Sequence, residues 1–228
     1  MNLKEIKNSR KFIQISTDGV FGSLEKDDKF CESSNYSPRS PYSASKASSD
    51  HLVNAWYHTC NFPSIITNCS NNYGPGDNYH PQNSHVMASF IRKFCEASIN
   101  SSPSVTCWGT GNPLREFLHV DDLGDAVVFA LENWDPSSSK APKDENNNKL
   151  TMLNVGTGKD ISIKELAYKI SHLVNYKGKI IWDSNKPDGI PKKLLNIQKI
   201  QSLGWEPRIS LEQGIKAAIN SYKFEKNF

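Results

Sequence analysis

The alternation of short apolar runs with longer helical runs is the feature that most constrains how this chain can fold. Near-continuous apolar runs occur at KFIQIS, SIITNCSNNYG, MLNVG and KIIWD, as is typical of strands that are buried on both faces. After the first run, the stretch that begins at Pro41 contains no glycine, and its apolar residues recur at helical spacing: Ala47, Leu52, Ala55 and Trp56. This order predicts an α/β fold around a parallel sheet.

Two polar stretches interrupt this pattern. Residues 22–40 are rich in serine, aspartate and proline, which predicts a long surface loop. Residues 135–149 contain few apolar side chains, so we expect a mobile insertion there. Further along, Ser162 is followed three residues later by Glu165, a capping-box pattern that predicts the start of a helix.

Composition and charge argue against several classes of function. The 228 residues carry a net charge of +3, and the lysines are scattered, so we expect no nucleic-acid partner. No apolar run approaches the roughly 20 residues of a membrane span, and the charged N-terminal residues do not resemble a secretion signal. The five cysteines stand apart without zinc-ligand spacing, which predicts reduced thiols, no metal site and a cytoplasmic protein.

Tyr42 and Lys46 carry the clearest chemical signal. Residues four apart lie on one face of a helix, so we expect the Lys46 ammonium near the Tyr42 phenol. A nearby positive charge favours the phenolate and is expected to lower the pKa of the tyrosine, which would suit proton exchange with a sugar hydroxyl or ketone. A solvated helix face produces the same spacing by chance, and this alternative stays open for the pair taken alone.

The surroundings of this pair point to a known family. A strand ending in Ser16-Thr17-Asp18 precedes it, and a strand ending in Asn71-Asn72-Tyr73-Gly74-Pro75 follows it. This order resembles the extended short-chain dehydrogenase/reductases, the NAD-dependent epimerase/dehydratase family. The resemblance implies a Rossmann-type parallel sheet with an interleaved C-terminal substrate-binding subdomain, NADP or NAD as the cofactor, and Thr17 beside the Tyr/Lys pair at a substrate ketone. A turn or cap after the strand is the alternative for Thr17 and Asp18.

The residues that the resemblance places at the cofactor are Ser16, Lys46, Cys69, Asn71 and Asn72.

Two branches of this family match different stretches. SPYSASKASSDHLVNAW resembles the dTDP-glucose 4,6-dehydratases, whereas NYGPGDNYHPQNSHV, WGTGNPLREFLHVDDL and KPDGIPKKLLN resemble the GDP-fucose synthases. The dehydratases use an Asp-Glu pair after the threonine as acid and base, but here the pair is Asp18-Gly19, and glycine has no side chain that could remove a proton. We therefore expect epimerisation and reduction of a GDP-linked 4-keto-6-deoxymannose. Dehydration or another NAD-dependent epimerisation is the alternative.

The fucose-synthase resemblance also implies two groups that move protons beside the ketone, a cysteine and a histidine. His85 matches the histidine, and an imidazole titrates near neutral pH. Asp18 occupies the cysteine position, where a carboxylate would need a raised pKa to act as the base. A polar residue at a helix start is the alternative for His85.

Four residues are implied to bind the sugar nucleotide: Lys93, Trp108, Arg115 and Asp188. Lys93 and Arg115 suit diphosphate oxygens, Trp108 offers an apolar face, and Asp188 accepts hydrogen bonds. A surface lysine, an ion pair of Arg115 with a nearby aspartate, and a core tryptophan are the alternatives. We interpret His119, Asp121 and Asp122 as structural residues at a helix start.

The resemblance implies domain boundaries as well. Residues 1–72 would form half of the NAD(P)-binding domain, and residues 73–228 mainly the substrate subdomain, with 116–156 returning to the Rossmann part. The Gly-x-x-Gly-x-x-Gly loop of the family, which receives the cofactor pyrophosphate, does not occur in this sequence. We therefore expect a further N-terminal segment, roughly a hundred residues long, either in the same protein or on another chain. Family relatives pair through the helix of the Tyr/Lys pair, which implies a homodimer with a nucleotide-diphosphate sugar as substrate. An inactive remnant that binds nucleotide sugars is the alternative to an enzyme.

Overall fold

The computed structural model describes residues 11–24, 28–60 and 62–227. The helices are α1 (Pro41–Cys60), α2 (Val86–Ile99), α3 (Val120–Asn133), α4 (Ile163–Leu173), α5 (Gln198–Ser202) and α6 (Leu211–Lys226). The strands are β1 (Phe12–Thr17), β2 (Ser64–Cys69), β3 (Asn71–Tyr73), β4 (Ser104–Trp108), β5 (Leu114–His119), β6 (Met152–Val155), β7 (Asp160–Ser162), β8 (Lys179–Asp183) and β9 (Lys192–Lys193). Within these described ranges, no helix combines the length and apolarity that a bilayer crossing requires.

The first sheet is parallel and has β2 at its centre. β1 and β6 flank it, with Cys69 opposite Thr17 on one side and Val155 on the other. All of β2 is buried, which suits its isoleucine-rich sequence. Because parallel strands end at the same edge of a sheet, the polar residues that follow β1 and β2 come together there. The predicted α/β fold of Rossmann type is confirmed.

α1 packs on β1 and β2 through a narrow buried stripe. Ala47 and Val53 on this stripe belong to the apolar core of the first sheet. Asp50 lies on the same stripe and accepts hydrogen bonds from Ser16 Oγ (2.6 Å) and the Tyr36 hydroxyl (3.1 Å). These bonds compensate for the burial of the carboxylate and hold α1 in a fixed position against β1.

A second group of strands pairs around β5. β3 and β9 run parallel to β5, β7 runs antiparallel to it, and β4 pairs with β8. α2, α4 and α6 contribute to a second apolar core in this part of the molecule. The antiparallel β7 departs from the predicted parallel arrangement. Residues 156–159 carry the chain from β6 in the first sheet to β7, which pairs with β5 in the second group.

The run SIITNCSNNYG, which we predicted as one strand, forms two strands in different sheets. The break falls at Ser70, whose N–H donates to Val155 O (3.1 Å) before β3 pairs with β5. Pattern alone does not reveal such a break, because both pieces are extended and partly buried. The break carries the chain from the first core to the second.

The predicted helix starts are confirmed. Ser162 and Glu165 form a reciprocal capping box at the start of α4. The interpretation of Asp122 and His119 as structural also agrees with their contacts. Asp122 accepts two backbone N–H groups from the segment before α6 (3.1 and 3.0 Å), and His119 caps α3.

Residues 135–149 form hydrogen-bonded turns in which Asp135 and Asp144 accept backbone N–H groups, and their predicted mobility stays a prediction. The domain boundaries also stay a prediction. However, the first core contains Leu195 and Ile200, which those boundaries assign to the substrate subdomain. Contacts between distant segments decide this placement, for example the bridge between residues 30 and 195.

Candidate active site

The end of β1 carries the first of the predicted site residues. Thr17 Oγ1 accepts from the N–H of Gly19 (3.2 Å) and so caps the short turn Asp18–Val20. The alternative role of Thr17 as a cap is therefore real, and it holds the hydroxyl at the strand edge. Ser16 is buried, and its hydroxyl donates to Asp50, so its side chain faces α1.

Tyr42 and Lys46 share one face of α1, as their spacing predicts. The Lys46 ammonium lies 5.9 Å from the centroid of the Tyr42 ring and donates to Ile15 O at 2.9 Å. This second contact ties α1 to β1 one turn after the tyrosine. Tyr42 itself is 61% exposed, so its hydroxyl is accessible to a ligand.

The expectation that Lys46 lowers the pKa of Tyr42 is wrong for this structure. The pKa of Tyr42 is raised, first because partial burial disfavours the phenolate, and then because of the negative charges of Cys69 and Asp18. The ammonium lies against the ring and a backbone carbonyl. The tyrosine is therefore a neutral proton donor at physiological pH.

Cys69, Asn71 and Asn72 follow one another across the break between the two sheets. Burial raises the pKa of the Cys69 thiol to about 12, so it is an inert neighbour of Thr17. Asn71 Nδ2 donates to Glu116 O (2.9 Å), and Asn72 is exposed. Among the three, Asn72 has the side chain most accessible to a ligand.

Asp18 forms an ion pair that the sequence did not reveal. Its Oδ1 lies 2.9 Å from Lys193 Nζ, and it is 2% exposed. Lys193 belongs to the run KPDGIPKKLLN, but nothing in its pattern distinguishes it from the neighbouring lysine. Only the pairing of β9 with β5 brings this ammonium to the end of β1.

Gly19 lies in a place with no room for a side chain. A Cβ built on it would be 2.6 Å from Ser43 Oγ, closer than real contacts. The buried Ser43 belongs to α1 and bonds to Ser40 Oγ (3.0 Å). Packing therefore agrees with the sequence-based argument that a dehydratase base is missing at this position.

The other three predicted substrate residues, Lys93, Arg115 and Asp188, lie around Trp108. This residue is 68% exposed, so the alternative of a core tryptophan is wrong. Two adjoining cavities of about 190 and 240 Å³ share it as a wall, one with Arg115 and Asp188 and the other with Lys93. Lys93 Nζ lies 6.0 Å from the centroid of the indole ring and Lys186 Nζ 5.4 Å, and sequence reasoning missed Lys186.

Two carboxylates, Asp18 and Asp188, act on the charge of Arg115. Its Nη1 donates to Leu114 O (2.7 Å), and its strongest charged influences are Asp18 and Asp188. Burial lowers the pKa of Arg115, while these two carboxylates raise it. Arg115 thus connects the Trp108 cavities with the end of β1.

Asp188 holds a turn in place. Both of its carboxylate oxygens accept from Thr110, one from the N–H (2.8 Å) and one from the hydroxyl (2.6 Å). Gly109 passes close by with φ +78, where a Cβ would meet Asp188 Oδ1. A direct contact of Asp188 with substrate stays a prediction.

His85 precedes α2 and makes no side-chain cap bond. The side chain is exposed. Burial raises the pKa of the Asp77 carboxyl, and the nearby His85 lowers it. Its chain neighbours Ser84 and Val86 line the 240 Å³ cavity. The position agrees both with a helix-start residue and with a group at the cavity rim.

Glu116 is a functional candidate that sequence reasoning missed. It is fully buried and accepts from the N–H groups of Thr157, Gly158 and Leu195 (2.5, 2.7 and 2.9 Å). Burial raises its pKa to about 7, Asp18 adds to this rise, and the three donors limit it. The sequence feature that could have indicated Glu116 is a charged residue within the largely apolar strand β5.

A larger cavity, of about 840 Å³, lies elsewhere, between β7, α4 and the segment before α6. It shares no lining residue with the two Trp108 cavities. We place the candidate site at the smaller cavities, because they contain the predicted groups and adjoin Asp18 through Arg115.

Comparisons with known proteins agree with this arrangement. The profile of the NAD dependent epimerase/dehydratase family matches residues 2–144. The chain is 41% identical over 183 residues to a probable GDP-L-fucose synthase 1 of Oryza sativa subsp. japonica. That alignment covers 80% of this chain and 51% of the rice protein. It is also 34% identical over 235 residues to a dTDP-glucose 4,6-dehydratase of Escherichia coli. That alignment covers 97% of this chain and 61% of the dehydratase.

A solved structure of a GDP-6-OMe-4-keto-L-xylo-heptose reductase from C. jejuni superposes with a TM-score of 0.84 at 26% identity, covering 96% of this chain and 71% of that one. The chain spans about half the length of the curated relatives it matches. Both branches that the motifs resemble are thus found among its relatives. The strand-end threonine, the Tyr/Lys pair on α1 and these matches lead to one conclusion: the chain belongs to the NAD-dependent epimerase/dehydratase family.

Proposed function

We propose that this chain acts in the NAD(P)-dependent epimerisation and reduction of a nucleotide-linked 4-ketosugar, as a GDP-L-fucose synthase does, with GDP-4-keto-6-deoxymannose as the substrate. The observation that carries the proposal is the Tyr42–Lys46 pair at the joined ends of β1 and β2. Asp18 interacts electrostatically with both Tyr42 and Arg115, which connects this pair to the Trp108 cavities. The identity of 41–44% to several GDP-L-fucose synthases supports the choice of substrate.

The residues at this edge fit the nicotinamide end of NADP or NAD. Lys46 presents an ammonium beside the accessible Tyr42 hydroxyl, which suits a ribose, and Cys69 to Asn72 would border the nicotinamide. When bound, the reduced cofactor supplies the hydride that a ketone requires.

Tyr42 and Thr17 would hold and protonate the ketone oxygen. The raised pKa of Tyr42 keeps it protonated near neutral pH, which suits proton donation during reduction.

Trp108, Lys93 and Arg115 would bind the nucleotide. The exposed indole of Trp108 offers a face for the base, and Lys93 and Lys186 place two ammonium groups near it for the diphosphate. Arg115, between Asp18 and the cavities, would meet the sugar end or the adjoining phosphate.

A 4,6-dehydratase is the second candidate, because one such enzyme matches 97% of the chain. Gly19 argues against it, since the position lacks a carboxylate and has no room for one. Accumulation of a 4-keto-6-deoxy product from dTDP-glucose would favour this candidate.

The test is a binding and turnover series on the purified chain. Calorimetric titration of the chain with GDP should show binding. NADPH binding and reduction of GDP-4-keto-6-deoxymannose should appear when a polypeptide carrying the Gly-x-x-Gly-x-x-Gly loop, which this sequence lacks, is supplied. Tyr42→Phe should lower kcat by about 10²–10⁴-fold, while Tyr57→Phe, on the same helix, should not. Binding of GDP without NADPH binding or turnover would instead favour a non-catalytic nucleotide-sugar-binding protein.

A further inference from the structure

Asp18 and Lys193 form a buried ion pair inside the proposed site. The Asp18 side chain is 3% exposed and the Lys193 side chain 14%, with Oδ1 and Nζ 2.9 Å apart. The partners lie 175 residues apart in sequence, on the turn after β1 and on β9. Two buried charges compensate for each other's lost hydration only while both are present, so this pair fixes the position of Asp18.

The charged and titratable groups around Asp18 come from several elements. Tyr42 lies on α1, Cys69 on β2, and Arg115 and Glu116 on β5. Arg115 is the β5 partner of Lys193, so two cations act on this carboxylate from adjacent strands.

The two carboxylate oxygens of Asp18 differ in their contacts. Oδ1 accepts from Lys193 and, at 3.4 Å, from the Thr17 hydroxyl. Oδ2 is buried and has no hydrogen-bond donor among the described residues. With Oδ1 held by Lys193 and Oδ2 enclosed, neither oxygen of Asp18 is open to a ligand while the ion pair is in place.

Epimerisation beside a ketone requires a base. A C–H bond breaks, its electron pair remains in the enolate, and the proton moves to that base. To take up the proton, Asp18 would have to give up the attraction of an ammonium at 2.9 Å in a buried place. His85, which is exposed at the cavity rim, faces no such cost.

We infer that Lys193 is a positioning and specificity-determining residue, which withdraws Asp18 from proton transfer by pairing with it. With Asp18 enclosed and paired, proton exchange beside the ketone is left to the exposed His85. This inference rests on the proposed function and deepens it. It implies that the site catalyses reduction efficiently and that epimerisation is the slower step.

The test follows deuterium uptake in D₂O at the two carbons beside the ketone of GDP-4-keto-6-deoxymannose, by NMR and without NADPH. Lys193→Met should raise the exchange rate about tenfold, because the freed Asp18 becomes a competent base. Lys193→Arg should keep the wild-type rate, and adding Asp18→Asn to Lys193→Met should remove the gain. Lys216→Met, which breaks an exposed ion pair of similar length (2.7 Å), is the matched control and should change nothing. An unchanged or lower rate in Lys193→Met would overturn the inference.

A second measurement shows whether the variants fold and whether the pair is coupled. The Tm of Lys193→Met should fall, and the Tm of the double variant with Asp18→Asn should be higher than that of Lys193→Met alone. Additive losses would contradict a coupled pair. A wild-type chain that neither binds GDP nor exchanges deuterium would refute the proposed function, whereas a chain that reduces the ketosugar while Lys193→Met exchanges no faster would refute only the role of Lys193.

Discussion

At the residue scale, burial sets the charges around Tyr42. Tyr42 remains protonated although Lys46 is close, because burial, first, and then the neighbouring Cys69 and Asp18 disfavour the phenolate. Glu116 lies under the same site, with three backbone donors. The ionised groups of this region therefore depend on fixed partners instead of water.

Glu116→Gln should destabilise the chain by about 1–3 kcal/mol at about pH 4.5, because the amide nitrogen, unlike a carboxyl oxygen, cannot accept the backbone N–H that faces it. The measurement is urea unfolding monitored by circular dichroism. A loss below about 0.5 kcal/mol would contradict this role for Glu116.

The pH dependence of the same comparison has a defined sign. The pKa of Glu116 is raised from 4.5 to about 7 in the folded chain, so the unfolded chain loses this proton first as the pH rises. The contribution of Glu116 to stability is therefore fully present below about pH 4.5 and is lost by about pH 7. The stability difference between the wild type and Glu116→Gln should fall over this range, by on the order of 3 kcal/mol. A difference that rises with pH would refute the assignment.

Gly19→Ala should cost about 1–3 kcal/mol of stability, because the new methyl group meets Ser43 Oγ. In a Ser43→Ala background the cost should shrink, which a double-mutant cycle by urea unfolding measures. Gly124→Ala is the matched control. Gly124 lies on α3 with nothing within 4 Å of an added Cβ, so this change should stabilise by up to about 1 kcal/mol.

At the element scale, caps and inter-strand ties keep the site elements in register. The capping box of Ser162 and Glu165 starts α4 directly after β7. Asp50 joins α1 to β1, and Asp188 holds the turn after β4. Short polar contacts at element ends thus set the relative positions of Tyr42 and Trp108.

Ser162→Ala should destabilise the chain by about 0.5–2 kcal/mol, because the start of α4 loses its cap. Ser221→Ala is the matched control, since Ser221 Oγ donates to Glu225 in an exposed contact on α6. Thermal unfolding of the two variants in parallel measures the effect. Equal losses of stability in the two variants would show that the Ser162 cap contributes no more than an exposed side-chain hydrogen bond.

At the scale of the whole molecule, two apolar cores lie on either side of the break at Ser70. The candidate site lies where their strand ends meet. α1 packs on the first core and exposes Leu52 and Trp56 (51% and 44%). We propose that this outer face of α1 forms a homodimer, as the family resemblance implied.

Leu52→Glu combined with Trp56→Glu should convert the dimer into a monomer, because two charges would then be buried at the interface. Light scattering coupled to size exclusion measures the mass. Phe224→Glu is the control, since Phe224 is 85% exposed on α6 and should leave the mass unchanged. A monomeric wild type at micromolar concentrations would contradict the dimer.

Much of the fold was predictable from local pattern. The strand and helix order, the capping box at Ser162, and the shared face of Tyr42 and Lys46 follow from spacing and propensity, which are local properties of the chain. The break at Ser70 was not predictable, because pairing with a distant strand decides where an extended run changes sheets.

The sequence by itself determined which chemical groups are present: a Tyr/Lys pair after a Thr-Asp-Gly turn, a histidine, and the motifs of the family. Only the tertiary structure decided how those groups are charged and paired. It placed Lys193 on Asp18 across 175 residues, and it raised the pKa of Tyr42 where spacing had predicted a fall. The reason is physical: ionisation depends on burial and on through-space neighbours, and both arise only when distant segments pack together.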